Sequence, residues 1–354
     1  MQNCLDSLTL LVQNIEHYIE QLDNENIFNP QLNKVQQVQQ VPQVQNISDN
    51  LDVIMVSLKI IGTTKKLAIL LDKLQDTIKI VYAYTTSKFR LEKFYKKLED
   101  QEIIDAMLDN KSQCLPGIVR VAKLHGTRIK DSLPYIKIPG FINVDVTHRN
   151  VSSIGSQLTP HRLQFKTGEI MENLLQFSKF YDIVPEIHSD DWEWKLEQHC
   201  DANNKPLKEY WIWRRAGFLN RVPVIPVKNK KPICYIWKDI NGDYKSYNTV
   251  ESRKNIYVPL YIKLSKLESD FLILQQFVKA GYNIQILDYS GPPTTNGAVS
   301  ESEYNKITKM YEDLGEAMQG TLVMNEKNFR YIINSENIHF SHGYVLAAML
   351  AQII

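Results

Sequence analysis

The sequence predicts an α+β protein in which a helical N-terminal region precedes a mixed α/β domain with a small sheet. Between Leu51 and Gln113 there is no proline and only one glycine, Gly62, which favours helices. Further along, prolines and glycines punctuate short β-branched runs, and these alternate with apolar stretches at helical spacing. We therefore divide the chain into residues 1–112 and residues 113–354.

Residues 1–112 are predicted to form helices joined by a low-complexity tract. Apolar residues recur at helical spacing in CLDSLTLLVQNIEHYIEQL, in NLDVIMVSLKII and in the stretch from LAILLDKL to EIIDAML. The tract at about residues 31–48 is rich in Gln and Val and contains Pro42, which predicts a linker or an exposed loop. We expect a helical hairpin that packs on the rest of the chain or associates with a second copy.

Residues 113–354 are predicted to mix strands and helices. Strands are expected at GIVRVAKL, YIKI and FINVDV, and later at VPVIPV, PICYIW and NIQIL. Helices are expected at EIMENLLQFSKFY (residues 169–181), along the stretch from VESRKN to FVKAG, and at the terminal GYVLAAMLAQII. A polar segment from residue 294 to about residue 325 precedes the last of these.

Composition excludes several classes of protein. The chain has 354 residues, 44% of them hydrophobic and 23% charged, which is typical of a globular protein. A net charge of +1 does not point to nucleic acid or to an anionic membrane. No signal peptide is recognisable, and the longest clean apolar run, VLAAML, is too short to span a bilayer. We expect a soluble, cytoplasmic protein with no membrane partner.

The cysteines and short motifs indicate neither a disulfide framework nor a cofactor. The four cysteines, Cys4, Cys114, Cys200 and Cys234, are far apart in sequence and form no CxxC pair, which favours a reducing compartment. The sequence contains no P-loop and no GxGxxG motif. We therefore expect no cofactor.

The helix predicted at residues 169–181 carries polar residues in line on an otherwise apolar surface. Glu172, Gln176 and Lys179 fall on one side, and apolar residues occupy most of the remaining circumference. This stripe either faces solvent or lines a ligand pocket. In a pocket, the Glu and the Lys need each other or a ligand, because an isolated buried charge is very costly.

Two tryptophan pairs form a second candidate site. DWEW (192–194) and EYWIWRR (209–215) together hold four of the five tryptophans. In a strand, Trp211 and Trp213 would project from the same face, next to Arg214. They are either core residues or a platform on which a nucleotide base stacks.

Residues near the end of the chain supply further candidates. Asp288 ends the strand NIQIL, where a carboxylate either points into a catalytic cleft or starts a turn. His339 and His342 have a spacing that metal ligands use, but no third ligand is near, so no metal is expected. Ser341 is predicted to cap the last helix, and Gly343 leaves room for a phosphate at its N-terminus.

The order of these segments resembles the NADAR family, whose domain is associated with NAD and ADP-ribose. LTPHRLQF followed by EIMENLLQFSKFY is similar to the opening of that family, and Glu172, Gln176 and Lys179 match its E-x-x-x-Q-x-x-K helix. FLILQQFVKAGYNIQILDYSGPP and SHGYVLAAML have the outline of its later segments. Tyr289 and Ser290 stand where the family has Trp-Gly. The resemblance covers about residues 115–354.

This resemblance implies an N-glycosidase that cleaves the bond between ribose C1 and a nitrogen. It implies catalytic roles for Glu172, Lys179 and Asp288, and ligand contacts from Gln176, His342 and Gly343. Glu172 or Asp288 would stabilise the oxocarbenium-like charge on the ribose, and the other would place water or a proton. Lys179 would hold a phosphate or favour the ionised form of the carboxylate, and the tryptophans would stack on a base. The ligand would be a nucleotide or resemble ADP-ribose, and a descendant that binds without cleaving fits the same residues.

Two other functions stay open on the sequence. The chain also resembles proteins of large DNA viruses and phages that share an EN-x-x-Q-x-S-K helix and a W-x-W-R segment, which fits a viral or host-interaction protein associating through residues 1–112. Nucleic-acid binding has the tryptophans and KNKK (228–231) in its favour, but a broad basic stripe is missing.

Overall fold

The structure is a computed structural model, and it describes most of the chain from residue 96 onward. The described residues are 96–125, 135–150, 153–188, 192–228, 230–316 and 318–354, with Lys79, Ala83, Ser87, Arg90, Leu91 and Phe94. The predictions for the first helices and for the Gln/Val tract lie outside them. The chain divides into two compact units, Met1–Asp100 and Gln101–Ile354. Within the described residues, no helix has the length and apolar character needed to cross a bilayer.

Helices and strands are mixed along the second unit. Its α-helices are α1 (Gln101–Ser112), α2 (Met171–Gln176), α3 (Lys208–Leu219), α4 (Thr249–Ser252), α5 (Val258–Ser265), α6 (Ser269–Lys279), α7 (Glu301–Leu314), α8 (Glu326–Asn334) and α9 (His342–Leu350). Its strands are β1 (Val119–Lys123), β2 (Phe141–Asp145), β3 (Lys179–Phe180), β4 (Ile183–Val184), β5 (Ile187–His188), β6 (Glu193–Trp194), β7 (Glu197–Gln198), β8 (Cys234–Lys238), β9 (Tyr244–Tyr247), β10 (Asn283–Asp288) and β11 (Thr321–Val323).

A four-stranded sheet in the order β11-β1-β10-β2 is the centre of this unit. β1, β10 and β2 are parallel, and β11 runs antiparallel beside β1. The register pairs Lys123 with Asp288 and Leu287 with Asp145, so the carboxyl ends of the three parallel strands lie at one edge. Ligands of open α/β sheets bind outside this edge, which makes it the first place to look for a site.

Helices cover both faces of the central strand. Every residue of β10 is buried, as expected for a parallel strand with both faces covered. α9 packs against β1 and β10, and α1 packs against β2 and β10. All residues of α9 from Gly343 to Leu350 are buried, which explains why this helix is apolar around its whole circumference. The side-chain amide of Asn110 ties α1 to β10 by donating to Asn283 Oδ1 at 2.8 Å.

A second core, rich in aromatic residues, is built by α3 and a smaller antiparallel sheet in the order β3-β8-β9. Trp213 is its largest fully buried side chain, and it contacts Phe177, with ring centroids 4.5 Å apart. His199 is also fully buried, with its ring centroid 5.1 Å from that of Trp213. Burial lowers the pKa of His199 to about 4, against the opposing effect of Glu209.

Most of the predicted elements are present, and a few predictions are wrong. The strands expected at GIVRVAKL, FINVDV, PICYIW and NIQIL are β1, β2, β8 and β10, and the predicted helices from residue 249 onward are present. YIKI and VPVIPV form no strand, and neither pairs with another segment among the described residues. The polar segment from residue 294 contains helix α7, whose apolar side packs while its polar side faces solvent.

Two of the wrong predictions concern candidate site residues. The helix predicted at residues 169–181 ends at Gln176, and Lys179 belongs to strand β3, where it pairs with Tyr235 of β8. Trp211 and Trp213 lie on helix α3, whereas a strand was expected. Consecutive helical residues point about 100° apart, so the two rings do not share a face.

Candidate functional site

A cavity of about 630 Å³ opens at the carboxyl edge of the central sheet. Thr147 and His148, which follow β2, and Tyr289 and Ser290, which follow β10, form part of its wall. The remaining wall comes from the loop at residues 159–161, α2, β3, Tyr235 of β8, the helix that begins at Thr249, and the segment leading into α9. Pockets for small ligands and cofactors typically have volumes of about 300–1,000 Å³, so a nucleotide-sized molecule fits this cavity.

Glu172, Gln176 and Lys179 line the cavity as a hydrogen-bonded row. The Gln176 amide donates to Glu172 Oε1 at 2.7 Å, and Lys179 Nζ donates to Gln176 Oε1 at 2.7 Å. The amide therefore links the ammonium group to the carboxylate. Burial lowers the pKa of Lys179, while the charge of Glu172 opposes this shift. The row is neither a solvated stripe nor a direct ion pair.

Local structure fixes the position of each member of this row. Glu172 and Gln176 are four residues apart on α2, so they are neighbours on one helical face. The backbone N–H of Glu172 donates to the carbonyl oxygen of Pro160 at 3.0 Å, which joins the helix to the preceding loop. The helix ends after Gln176, and the chain enters β3, which brings Lys179 beside the amide oxygen.

Asp288 is far from Glu172 in the sequence, but it lines the same cavity. Its Oδ2 accepts a hydrogen bond from the backbone N–H of Gly343 at 3.0 Å, and its Oδ1 accepts one from Ser290 N–H at 3.2 Å. A Cβ atom on Gly343 would come within 2.8 Å of that Oδ2. A phosphate was expected at the N-terminus of α9, but the side chain of Asp288 occupies that position. A negative charge there interacts favourably with this end of the helix.

His342 is held between Asp288 and the end of β2. Its Nε2 lies 2.8 Å from the carbonyl oxygen of Val146, and because a carbonyl only accepts, Nε2 carries a proton. Its Nδ1 lies 3.4 Å from Asp288 Oδ2. Both ring nitrogens of His342 therefore face protein atoms. The ring borders the cavity beside Asp288.

Tyr257 interacts electrostatically with both carboxylates of the cavity. Burial raises the pKa of this phenol well above its usual range, and the charges of Glu172 and Asp288 raise it further. The phenol is therefore protonated and can donate a hydrogen bond to a ligand. Glu172, Asp288 and Tyr257 all line the same cavity.

The helical segment that supplies Tyr257 contains an irregular turn. Residues Arg253–Tyr257 form a π-helix between α4 and α5, and Pro259 follows at the start of α5. A proline has no N–H and its ring clashes with the carbonyl four residues earlier, which favours a local change of helical pitch. Turns of this kind are frequent at functional sites, and this one directs Arg253, Ile256 and Tyr257 toward the cavity.

Arg253 fastens the segment that leads into α9. Its guanidinium donates to the carbonyl oxygens of Ser335 at 2.6 Å and Ile338 at 2.7 Å, and it lies over the ring of Phe340. These bonds fix the cavity wall that carries His339. Burial lowers the pKa of His339, and the charge of Asp288 opposes this shift.

The tryptophans predicted to bind a ligand do not line this cavity. Trp213 is fully buried in the aromatic core and offers no surface to a base. Trp211 packs against Tyr244, with ring centroids 4.7 Å apart. Arg214 is buried, donates to the carbonyl oxygen of Ile236 at 3.2 Å, and lies over the ring of Phe218. In their place the cavity has Tyr257, Tyr289 and Phe340 as aromatic neighbours.

No metal site emerges from the histidines near α9. His339 and His342 both line the cavity, but His342 directs its nitrogens toward Val146 and Asp288. In the described part of the chain, no three or more His, Cys, Asp or Glu side chains are arranged to hold a metal ion.

Several cavity residues are missing from the sequence-based prediction. His148, His161, Arg253 and Tyr257 all line the cavity. His148 and His161 occur in loops without periodic patterning, so only the three-dimensional structure brings them together. For Arg253 and Tyr257 the sequence does contain an indication, since Pro259 interrupts an otherwise regular helical pattern.

Comparison with known proteins identifies no relative of this chain. No protein-family model, no curated protein and no solved structure matches it. The likeness to the NADAR family rests on the residues quoted above.

Proposed function

We propose that the chain is a nucleotide- or ADP-ribose-directed N-glycosidase, or a descendant of such an enzyme that binds the ligand without cleaving it. The observation that carries this proposal is that Glu172, Lys179 and Asp288 line one cavity of nucleotide size. They lie on three different elements, and Asp288 is more than a hundred residues from the other two in sequence. They are also the residues to which the resemblance assigns the chemistry.

Glu172 is the carboxylate best suited to stabilise positive charge on a ribose. It is 9% exposed, and it lines the cavity together with Tyr257. Cleavage of an N-glycosidic bond develops oxocarbenium character at C1, and a fixed carboxylate lowers the energy of that state. Gln176 holds the carboxylate in place through its amide.

The cationic side of the cavity suits a phosphate or another anionic group of the ligand. Lys179 lies at one end of the hydrogen-bonded row and still has donors beyond the one given to Gln176, because an ammonium group has three. The protonated phenol of Tyr257 is a further donor. A ligand whose ribose develops positive charge at C1 and which also carries an anionic group matches this arrangement of Glu172, Tyr257 and Lys179.

The test is an assay of the full chain together with the variant Glu172→Gln. The probes are an oligonucleotide carrying ADP-ribose on a base, free ADP-ribose, and a ribosylamine phosphate. Turnover is measured as released base or sugar by chromatography, and binding of ADP-ribose is measured by calorimetry. The matched control is Glu301→Gln, an exposed glutamate on α7 outside the cavity.

We expect the wild type to release product from at least one probe and Glu172→Gln to lower kcat by about a hundredfold or more. Glu301→Gln should behave as the wild type. Binding of ADP-ribose without turnover supports the non-catalytic form of the proposal. Absence of both turnover and binding contradicts it, and the expectation of an interaction protein that associates through residues 1–112 then takes its place.

A further inference from the structure

His161 lines the cavity, but it belongs neither to the E-x-x-x-Q-x-x-K motif nor to the hydrogen-bonded row. Its ring lines the cavity and stacks on His148, with ring centroids 5.2 Å apart. Within the described residues, neither ring nitrogen has a hydrogen-bond partner, and Nδ1 is fully enclosed. Nε2 is therefore the nitrogen available to a molecule in the cavity.

The loop that carries His161 is firmly anchored. Asp270 accepts a hydrogen bond from the backbone N–H of Gly155 at 2.9 Å, and Tyr261 donates to the carbonyl oxygen of Leu158 at 2.7 Å. Immediately before the histidine, the carbonyl oxygen of Pro160 accepts a hydrogen bond from the backbone N–H of Glu172 in the first turn of α2. A loop fixed at several points holds its side chains in place before a ligand arrives, which a reacting group requires.

Charged and titratable groups surround His161 from several elements. Glu172 of α2 favours the protonated ring, while His148, His342 and the neighbouring Arg162 favour the neutral ring. Burial is the largest influence, and it lowers the pKa of His161. Near pH 7 the imidazole is therefore neutral and able to accept a proton, and Glu172 is placed to stabilise the imidazolium that results.

We propose that His161 is the general base of this site and accepts the proton of the water molecule that attacks ribose C1. This inference rests on the proposed N-glycosidase function. The C1–N bond breaks and its electron pair leaves with the nitrogen of the base, while the water oxygen forms a bond to C1. The water proton passes to Nε2 of the tautomer that carries hydrogen on Nδ1, and the imidazolium then returns a proton to the leaving nitrogen.

Asp288 is less suited to this role, although it lines the same cavity. Both of its oxygens accept backbone hydrogen bonds, from Ser290 and from Gly343, and Oδ2 also faces His342. A carboxylate engaged in this way is a weaker acceptor for a further proton. His339 also lines the cavity, but it is exposed, and its electrostatic neighbours include Lys179 and Arg253, which oppose protonation.

The experiment compares the full-length wild type with His161→Gln, His161→Ala and His125→Gln. His125 is partly exposed and lies outside the cavity, so its replacement controls for the change of residue type. The substrate probe is whichever of the three is cleaved by the wild type. Measurements are kcat and KM from pH 5 to 9, thermal unfolding, ADP-ribose binding by calorimetry, and turnover by His161→Ala with added imidazole.

We expect His161→Gln to lower kcat by about a hundredfold or more with little change in ADP-ribose affinity, since general bases contribute about 10²–10⁴-fold. Wild-type kcat/KM should fall on the acid side with a midpoint below pH 6.5, and this limb should be absent in His161→Gln. Imidazole should partly restore His161→Ala, which a loss of packing alone does not predict. His125→Gln should stay within about twofold of the wild type.

Two outcomes overturn the inference, and they can be told apart. If the wild type cleaves a probe but His161→Gln keeps more than about a tenth of its kcat, the assignment of the base is wrong and the glycosidase proposal stands. If the wild type cleaves no probe, the assignment of the base fails, and ADP-ribose binding in calorimetry then decides whether the non-catalytic form of the proposed function stands. Should His161→Gln not fold, the acid limb of the wild type and the imidazole response of His161→Ala decide the question.

Discussion

The hydrogen-bonded row in the cavity predicts that Glu172 and Lys179 are energetically coupled through Gln176. The perturbation is a double-mutant cycle that combines Lys179→Met with Glu172→Gln. Lys179→Met removes the ammonium but keeps an unbranched side chain, and it leaves Gln176 Oε1 without the donor that lies 2.7 Å away. Glu172→Gln removes the negative charge and keeps the size and shape of the side chain.

The expected magnitude follows from the burial and geometry of the row. Removing one partner of a fully buried ion pair costs about 3–5 kcal/mol. Here Glu172 is buried, Lys179 is only half-buried and an amide separates the charges, so each single variant should lose about 1–3 kcal/mol of unfolding free energy. The double variant leaves no uncompensated charge, and its loss should be smaller than the sum of the two by about 1 kcal/mol or more.

Urea denaturation followed by tryptophan fluorescence measures this coupling. All five tryptophans lie between residues 192 and 237, so their emission reports on the unit that contains the cavity. The midpoints are comparable only if the dependence of free energy on urea is the same for all four proteins. Losses that add to within about 0.3–0.5 kcal/mol would show that the two charges are independent and would refute the coupled row.

Three further predictions concern the aromatic core. Trp213→Ala should lower the unfolding free energy by about 3–5 kcal/mol, because it empties a fully buried site, whereas Trp211→Ala should leave ADP-ribose affinity in calorimetry unchanged. If Trp211→Ala keeps the unfolding free energy of the wild type but loses ADP-ribose affinity, Trp211 does stack on the ligand. His199 has a pKa of about 4 when folded and an ordinary value of 6.5, so the unfolded chain binds the proton more tightly. The stability that His199 contributes above pH 6.5 should therefore be lost as the pH falls toward 4, by about 3 kcal/mol of unfolding free energy. Urea titrations at each pH measure this loss relative to the variant His199→Leu. The same pH dependence in that variant would contradict the prediction.

Local patterns were sufficient for much of the fold. β1, β2 and β10 are β-branched or apolar runs bounded by turn residues, and the helices from residue 249 onward keep an apolar period. The segment at residues 209–215 shows how two periods compete. Trp211 and Trp213 suggested a strand, but Tyr210, Trp213, Arg214 and Gly217 recur at helical spacing and form the buried face of α3.

Contacts between distant segments account for what the sequence did not predict. α2 ends after Gln176 because the next residues pair with β8, more than fifty positions along the chain. YIKI has the composition of a strand, but in the part of the chain that the structure describes it pairs with no other segment. The predicted site residues Glu172, Gln176, Lys179, Asp288 and His342 meet in one cavity, and only the register of the central sheet brings Asp288 to that edge.

The two carboxylates of the cavity differ in how they are held, and this difference assigns them different tasks. Asp288 ends a buried central strand, accepts two backbone hydrogen bonds and occupies the N-terminus of α9, so its replacement would disturb the fold as well as the site. The hydrogen bond to Glu172 comes from the movable side-chain amide of Gln176. Pairs of acidic groups in unlike environments commonly divide the work of an active site. Loss of function in an Asp288 variant would therefore not distinguish a structural role from a chemical one, whereas an isosteric change at Glu172 separates the two.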